Sequence, residues 1–191
     1  MYELENRRMQ PSFNYSPYAD SFGKSERFSE LELLLCYGKG DCRDRSTQNV
    51  FEYAAKHGLL PERQMNQNSM CWPETQFQFN TLYSIQSDEE SIKSYIVNHG
   101  PVILHLYLPV NVLKDYIGDD VIAPFPECDG KKPNHAMLAI GYGVQNGVKY
   151  WLLQNSWGLD WGNMGYVKWR RGIDACSVES SPIGASFLKN W

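Results

Sequence analysis

The spacing of apolar residues changes near Gly100-Pro101, and this change constrains the fold of the chain more than any other feature. Before it, three segments repeat apolar residues at the spacing of a helix face and carry helix-capping residues. These segments are Ser29–Leu35, Ser46–His57 and Asp88–Asn98. After it come four segments of strand length and composition, Val102–Leu108, Ala136–Gly143, Lys149–Asn155 and Gly165–Arg170. Helices followed by strands, instead of alternating with them, predict an α+β protein with two lobes.

Composition places the chain among ordinary globular proteins. It has 191 residues, of which 42% are hydrophobic and 21% are charged, so a disordered chain is excluded. The net charge of −4 argues against nucleic acid or an anionic membrane surface as a partner. No run of about 18 apolar residues occurs, so we expect no transmembrane helix and no membrane partner.

The five cysteines are dispersed along the chain, at Cys36, Cys42, Cys71, Cys128 and Cys176. None forms a C-x-x-C pair, so we expect no metal site. Dispersed cysteines are typical of disulfides, which need an oxidising compartment, and the odd number leaves one thiol over. The charged start of the chain, Tyr2–Arg8, lacks the apolar segment of a signal peptide. The missing partner of one cysteine and the missing signal peptide together favour an N-terminus that is incomplete.

A histidine and an asparagine stand at strand ends in patterns that suit catalysis. His135 directly precedes the apolar segment Ala136–Gly143. Asn155 is the last residue of the segment Lys149–Asn155, and Trp157 follows it two residues later. An asparagine carbonyl can accept from one imidazole N–H, fix the tautomer and leave the other nitrogen to pair with a thiol. Trp157 can shield that hydrogen bond from water. A lone histidine would more often be structural, but the string N-S-W-G-L-D-W-G at 155–162 favours the catalytic interpretation.

These strings resemble the papain/cathepsin family of cysteine peptidases. The most specific match is Q-N-S-W-G-L-D-W-G-N-M-G-Y at Gln154–Tyr166, and N-H-A at Asn134–Ala136 is similar to the strand of the family's catalytic histidine. Ser29–Cys36 looks like the family's helix before a disulfide cysteine, and Ala175–Glu179 looks like its C-terminal cysteine segment. The resemblance extends from about Ser29 to Phe187, most of the chain.

The resemblance implies a papain-like fold of two lobes in a single domain over residues 1–191. The helical lobe would take up about residues 1–100, and the β-rich, barrel-like lobe about residues 101–180. By resemblance His135 is the general base, Asn155 orients it and Trp157 packs over the pair. The implied reaction is hydrolysis of peptide bonds in a peptide or protein substrate, by a monomer that needs no cofactor. The family is usually lysosomal or extracellular, but no residue of this chain encodes a compartment.

Disulfide pairing also follows from the resemblance. It pairs Cys36 with Cys71 and Cys128 with Cys176. It leaves Cys42 unpaired, because the family's partner for that position lies upstream of the nucleophile.

One departure from the family concerns the nucleophile. The family's catalytic cysteine is followed by Trp at the N-terminus of a long helix, and it must precede the segment that matches Ser29–Cys36. Residues 1–28 contain no cysteine, so we expect no nucleophile in this chain and an incomplete helical lobe. Cys71-Trp72 resembles the nucleophile string, but it follows Ser29–Cys36 and so stands in the wrong order. We expect Cys71 to form a disulfide instead.

Two hypotheses of different classes follow. In the first, the chain is a member of the cysteine-peptidase family that supplies the His/Asn half of the site and is inactive alone, for lack of the catalytic cysteine. In the second, it is a non-catalytic papain-like protein that binds peptides or a partner. A nucleophile-bearing Cys-Trp string encoded upstream of Met1 would favour the enzyme.

Overall fold

The structure is a computed structural model that describes residues 28–39, 46–62 and 79–187. Contacts within the chain divide it into two compact units. The described part of the first unit is residues 84–184. The described parts of the second unit are residues 28–39, 46–62, 79–83 and 185–187.

Four helices and seven strands lie in the described residues. The helices are α1 (Glu30–Glu32), α2 (Thr47–His57), α3 (Glu89–Asn98) and α4 (Val110–Leu113). The strands are β1 (Phe79–Ser84), β2 (Val102–Leu106), β3 (Val121–Ile122), β4 (His135–Gln145), β5 (Val148–Gln154), β6 (Tyr166–Arg170) and β7 (Ile183–Phe187). A π-turn at Leu33–Tyr37 follows α1, and 3-10 turns occupy Pro126–Cys128 and Ala175–Ser177.

A mixed sheet organises the first unit, in the order β7-β2-β4-β5-β6-β3. Strands β2, β4, β5 and β6 pair antiparallel, whereas β3 pairs parallel with β6. The β2–β4 register sets Leu106 opposite His135, and the β4–β5 register sets Leu138 opposite Gln154. This register carries the start of β4 and the end of β5 to the same edge of the sheet.

Alternate residues of the strands form the core of the first unit, because successive side chains of a strand face opposite sides of the sheet. Val102, Leu104 and Leu106 are fully buried, as are Trp151, Leu153 and Trp169 from the neighbouring strands. Ile92 packs on them from α3, whose first turn is capped by the Asp88 carboxylate accepting from the Ser91 N–H at 2.8 Å.

The α+β class with a β-rich half is confirmed, and the helices and strands predicted from the sequence are present with ends shifted by one or two residues. One difference is the segment Ser29–Leu35, which forms one α-helical turn and then a π-turn. A second is Val102–Leu108, which ends as a strand at Leu106. Pro109 follows closely and has no N–H to give to a strand ladder. Strands β1, β3 and β7 were not predicted from the sequence.

In the second unit, the buried carboxylate of Glu32 holds two segments together. Its Oε2 accepts from the Leu60 N–H at 2.7 Å, and the Ser29 N–H donates to the Leu60 carbonyl at 2.9 Å. Tyr53 of α2 forms a buried hydrophobic cluster with Ala54 and Leu59. Burial raises the pKa of Glu32 above its ordinary 4.5, although the hydrogen bonds from Leu60 and Tyr53 oppose that rise.

A turn near the end of the first unit is held by a second buried carboxylate. Glu179 accepts from the Trp151 indole N–H at 2.8 Å, the Gly172 N–H at 2.7 Å and the Asp174 N–H at 2.8 Å. Asp174, Cys176 and Ser177 all have positive φ, a conformation that costs free energy in residues with a side chain. The three hydrogen bonds to Glu179 therefore stabilise a turn that its own residues disfavour.

Glu32→Gln should change how stability depends on pH. Because the pKa of Glu32 is raised on folding, its contribution is present below the ordinary value of 4.5 and is lost as pH rises through the folded value. In urea unfolding at a series of pH values, the parent chain should lose stability relative to the variant as pH rises above 4.5. Glu52→Gln, at an exposed carboxyl of α2, is the matched control. A difference between parent and Glu32→Gln that is constant with pH would contradict the prediction.

Glu179→Gln should lower the free energy of unfolding by about 1–3 kcal/mol, because an amide has a single acceptor oxygen and leaves a buried donor unpaired. Denaturant unfolding measures the change. The control is Glu127→Gln, which makes the same exchange at an exposed residue. An equal effect at both positions would show that the three hydrogen bonds do not matter.

Candidate active site

The register of the sheet brings His135 and Asn155 together. His135 is the first residue of β4, and Asn155 directly follows β5, where its N–H donates to the Gly165 carbonyl at 2.9 Å. Asn155 is 8% exposed, and His135 is half-buried. A buried amide thus lies beside an imidazole that solvent can reach in part.

One hydrogen bond joins the two side chains. His135 Nε2 lies 2.8 Å from Asn155 Oδ1, as the sequence predicted. The Ser156 N–H also donates to Asn155 Oδ1 at 2.8 Å, so the atom at this position must be the oxygen of the amide. The imidazole therefore donates through Nε2–H, and Nδ1 carries the lone pair in the neutral ring. Among the described residues, no hydrogen-bond partner of Nδ1 is found.

An aromatic wall covers this hydrogen bond. The Trp157 ring lies 5.4 Å from the His135 ring, centroid to centroid, and Trp161 meets Trp157 edge-on at 5.5 Å. Trp161 is itself fixed, because its indole N–H donates to the Leu113 carbonyl at 2.7 Å. Tyr116 also packs against Trp161, with ring centroids 5.8 Å apart. Aromatic rings packed beside a hydrogen bond exclude water that would weaken it, and we expect this effect of Trp157 here.

A cavity of about 530 Å³ lies against Trp157. Its apolar lining comes from Val110, Ile117, Trp157 and Trp161. Lys114, Asp115 and Asp160 contribute charge to the lining. A cavity of this size accommodates a side chain or a short length of peptide.

The disulfide between Cys128 and Cys176 is present, as the resemblance implied, with a Cα–Cα distance of 5.1 Å. Cys36 is also disulfide-bonded. Its predicted partner Cys71 lies outside the described residues, and so do Cys42 and Trp72. Within the described ranges, no group of three or more His, Cys, Asp or Glu side chains could hold a metal ion, and no helix could cross a membrane.

Two contributions to the site escaped the sequence analysis. The Ser156 N–H that fixes the amide belongs to the backbone, which no residue pattern reveals. The support of Trp161 by Leu113 and Tyr116 joins segments far apart in the chain. The four-residue spacing of Trp157 and Trp161 in the string was the one signal that pointed to the wall.

Comparison with known proteins identifies the family of the chain. The model of the papain family of cysteine proteases matches residues 16–186. This chain belongs to the papain family of cysteine proteases. Among curated papain-family relatives, it is 32% identical to a pro-cathepsin H of Medicago truncatula over 85% of the chain and 49% of the relative. It is 33% identical to cysteine proteinase 3 of Solanum lycopersicum over 84% of the chain and 48% of that protein.

The papain-family fold is also found among solved structures. Digestive procathepsin L 3 from the larval midgut of Tenebrio molitor superposes with a TM-score of 0.77 at 24% identity, covering 89% of this chain and 59% of the other. The chain spans about half the length of the curated relatives it matches.

Asn155→Ala should release the tautomer of His135, because no other described acceptor faces Nε2. The neutral imidazole should then populate Nδ1–H as well as Nε2–H, which the two ring ¹⁵N chemical shifts report. Asn163→Ala removes an exposed amide that bonds Asp119, and it should leave the ring shifts unchanged. If Asn155→Ala also leaves them unchanged, Asn155 does not set the tautomer.

Proposed function

We propose that this chain carries the base half of a cysteine-peptidase site, with His135 as general base and acid and Asn155 as its orienting partner. The observation that carries the proposal is the Nε2–H···Oδ1 hydrogen bond with Nδ1 left to accept a proton. The substrate is a peptide or protein, as membership of the protease family suggests.

The geometry suits a defined sequence of proton transfers. Nδ1 would take the proton of a thiol, giving a thiolate that attacks the peptide carbonyl, while Asn155 holds the imidazolium in place. The imidazolium then gives its proton to the leaving amine. Nδ1 next takes a proton from the water that hydrolyses the acyl-enzyme, and the thiol is restored.

We further propose that none of the five cysteines is the nucleophile. Cys36, Cys128 and Cys176 are disulfide-bonded, and a disulfide sulfur has no proton to transfer to His135. Cys42 and Cys71 follow the segment Ser29–Cys36, which the nucleophile precedes in the resemblance. The 191 residues alone would then not hydrolyse peptides.

A peptide with a thiol-reactive end group tests this proposal. On the 191-residue chain, mass spectrometry should find no stoichiometric labelling of Cys42 or Cys71 that depends on His135. Stoichiometric labelling that His135→Ala abolishes would make the short chain an enzyme. Cys42→Ser and Cys71→Ser identify which thiol reacts.

The base role is tested by hydrolysis of a fluorogenic peptide, after a nucleophile-bearing segment of a papain-family protease has been joined ahead of the 191-residue chain. There His135→Ala should lower kcat/KM by about 10²–10⁴, the range for loss of a general base. His105→Ala, at a histidine on β2, is the matched control. Full activity of the His135→Ala protein would refute the role.

The second candidate, non-catalytic peptide binding, is favoured by the cavity against Trp157, which needs no nucleophile to receive a peptide. Binding of a peptide would change the tryptophan fluorescence of the chain, because Trp157 and Trp161 both line the cavity. Binding would persist in His135→Ala, and no hydrolysis of the bound peptide would accompany it.

A further inference from the structure

The α4–β3 loop, residues 114–120, forms one wall of the cavity described above. Tyr116 and Ile117 of this loop line the cavity, and Trp157 and Trp161 line it from the loop between β5 and β6. Within the described residues, the backbone N–H and carbonyl of Ile117 bond no other backbone group. No ladder or helical turn therefore holds this part of the wall, and its position depends on the side chains beside it.

The side chain of Asp119, two residues after Ile117, holds the loop. Its Oδ1 accepts from the Asn163 amide at 2.7 Å, and its Oδ2 accepts from Lys168 Nζ at 2.7 Å. Lys168 Nζ also donates to the backbone carbonyl of Asp119 at 3.2 Å. Hydrogen bonds to ionised groups are shorter and stronger than neutral ones. Three such bonds converge on one residue of a loop that has little other support.

Both partners of Asp119 are themselves well fixed. Lys168 lies in β6, between β5 and β3, and its side chain is 14% exposed. Asn163 exchanges two backbone hydrogen bonds with Tyr166, at 2.9 and 3.1 Å. Asn163 also stands two residues after Trp161, in the loop that carries the opposite wall of the cavity. The Asp119 carboxylate thus joins the two walls to each other and to the sheet.

We propose that Asp119 is a positioning residue for this cavity: its carboxylate holds the α4–β3 loop to the opposite wall and to β6, and so keeps Ile117 in place for a peptide. The inference rests on the proposed function, in which the cavity receives a peptide. A wall that is ordered in the free chain lowers the entropy lost on binding. None of the hydrogen bonds of Asp119 involves His135, so the effect is on affinity and not on proton transfer.

The order of the loop is measured on the 191-residue chain by the ¹⁵N order parameter of the Ile117 N–H. In the parent it should be near the rigid value of about 0.85, and in Asp119→Ala it should fall below about 0.6. Asp119→Asn keeps an acceptor for Asn163 and loses the charge that faces Lys168, so its value should lie between. Asp120→Ala is the matched control, because the side chain of Asp120 makes no hydrogen bond within the described residues. It should leave the value unchanged.

Two further variants separate local order from stability. The Asp119 side chain is exposed, so its ion pair contributes little to the free energy of unfolding. Lys168→Met should lower the Ile117 order parameter, and its combination with Asp119→Ala should lower it no further than Asp119→Ala alone. Ile92→Val thins the buried core under α3, outside the loop, and it should leave the order parameter unchanged.

Peptide affinity is the functional readout. The probe is acetyl-Leu-Lys-amide, because the cavity combines an apolar lining with two carboxylates, Asp115 and Asp160, and one amine, Lys114. Titration followed by tryptophan fluorescence should give a Kd about five- to thirtyfold higher for Asp119→Ala than for the parent, the factor for ordering one backbone residue. Asp120→Ala should bind as the parent does. Both variants lose one negative charge, so long-range attraction of the probe does not distinguish them.

An Ile117 order parameter that Asp119→Ala leaves unchanged would overturn the proposal. So would a loosened loop that binds the probe as tightly as the parent, or an equal loosening in Ile92→Val. Failure of the parent chain to bind the probe would count against the proposed peptide site, while the order parameters would still decide whether Asp119 holds the wall. Neither measurement uses hydrolysis, so the result is independent of peptidase activity.

Discussion

The antiparallel register of β4 with β5 is the constraint on which the site depends. Leu138 opposite Gln154 places His135 and Asn155 on one edge of the sheet, although 20 residues separate them along the chain. A shift of one residue in this register would turn the side chains of a whole strand to the other face. The buried side chains of β5 and β6, among them Leu153 and Trp169, disfavour such a shift, because it would expose them to solvent. The hydrophobic core thus fixes the geometry of a polar pair.

Burial also determines how many hydrogen bonds the polar side chains of residues 84–184 must make. Asn155 Oδ1 accepts twice, from an imidazole and from a backbone N–H, and Glu179 accepts three times from neutral donors. In a low-dielectric interior the hydrogen bonds of such groups are strong, and a group left without a partner costs free energy of folding. The Ser156 N–H therefore holds the amide of Asn155 in place independently of the histidine. Its orientation does not depend on the protonation state of the ring.

Sequence reasoning located the elements that carry strong local signals. Asp88 and Gly58 mark the ends of helices, and the run from Val102 has the composition of a buried strand. His135 and Asn155 were predicted to lie together because the string around Trp157 is specific, and their side chains are 2.8 Å apart. The strands β1 and β7 were missed because Phe79–Ser84 and Ile183–Phe187 are short and contain polar or small residues, and their pairing is non-local. The Asp119 carboxylate was missed as a structural partner for the same reason, since Lys168 stands 49 residues away.

The turn at Asp174–Ser177 has a consequence for the order in which the chain folds. Its three residues with positive φ do not favour the turn by themselves, so it gains stability only from partners. One of these, the Trp151 indole that meets Glu179, lies 28 residues earlier in the chain and is placed by β5. The entropy of closing that loop has to be met before the contact is made. We therefore expect the turn at Asp174–Ser177 to close late in folding, after β5 has paired in the sheet and placed Trp151.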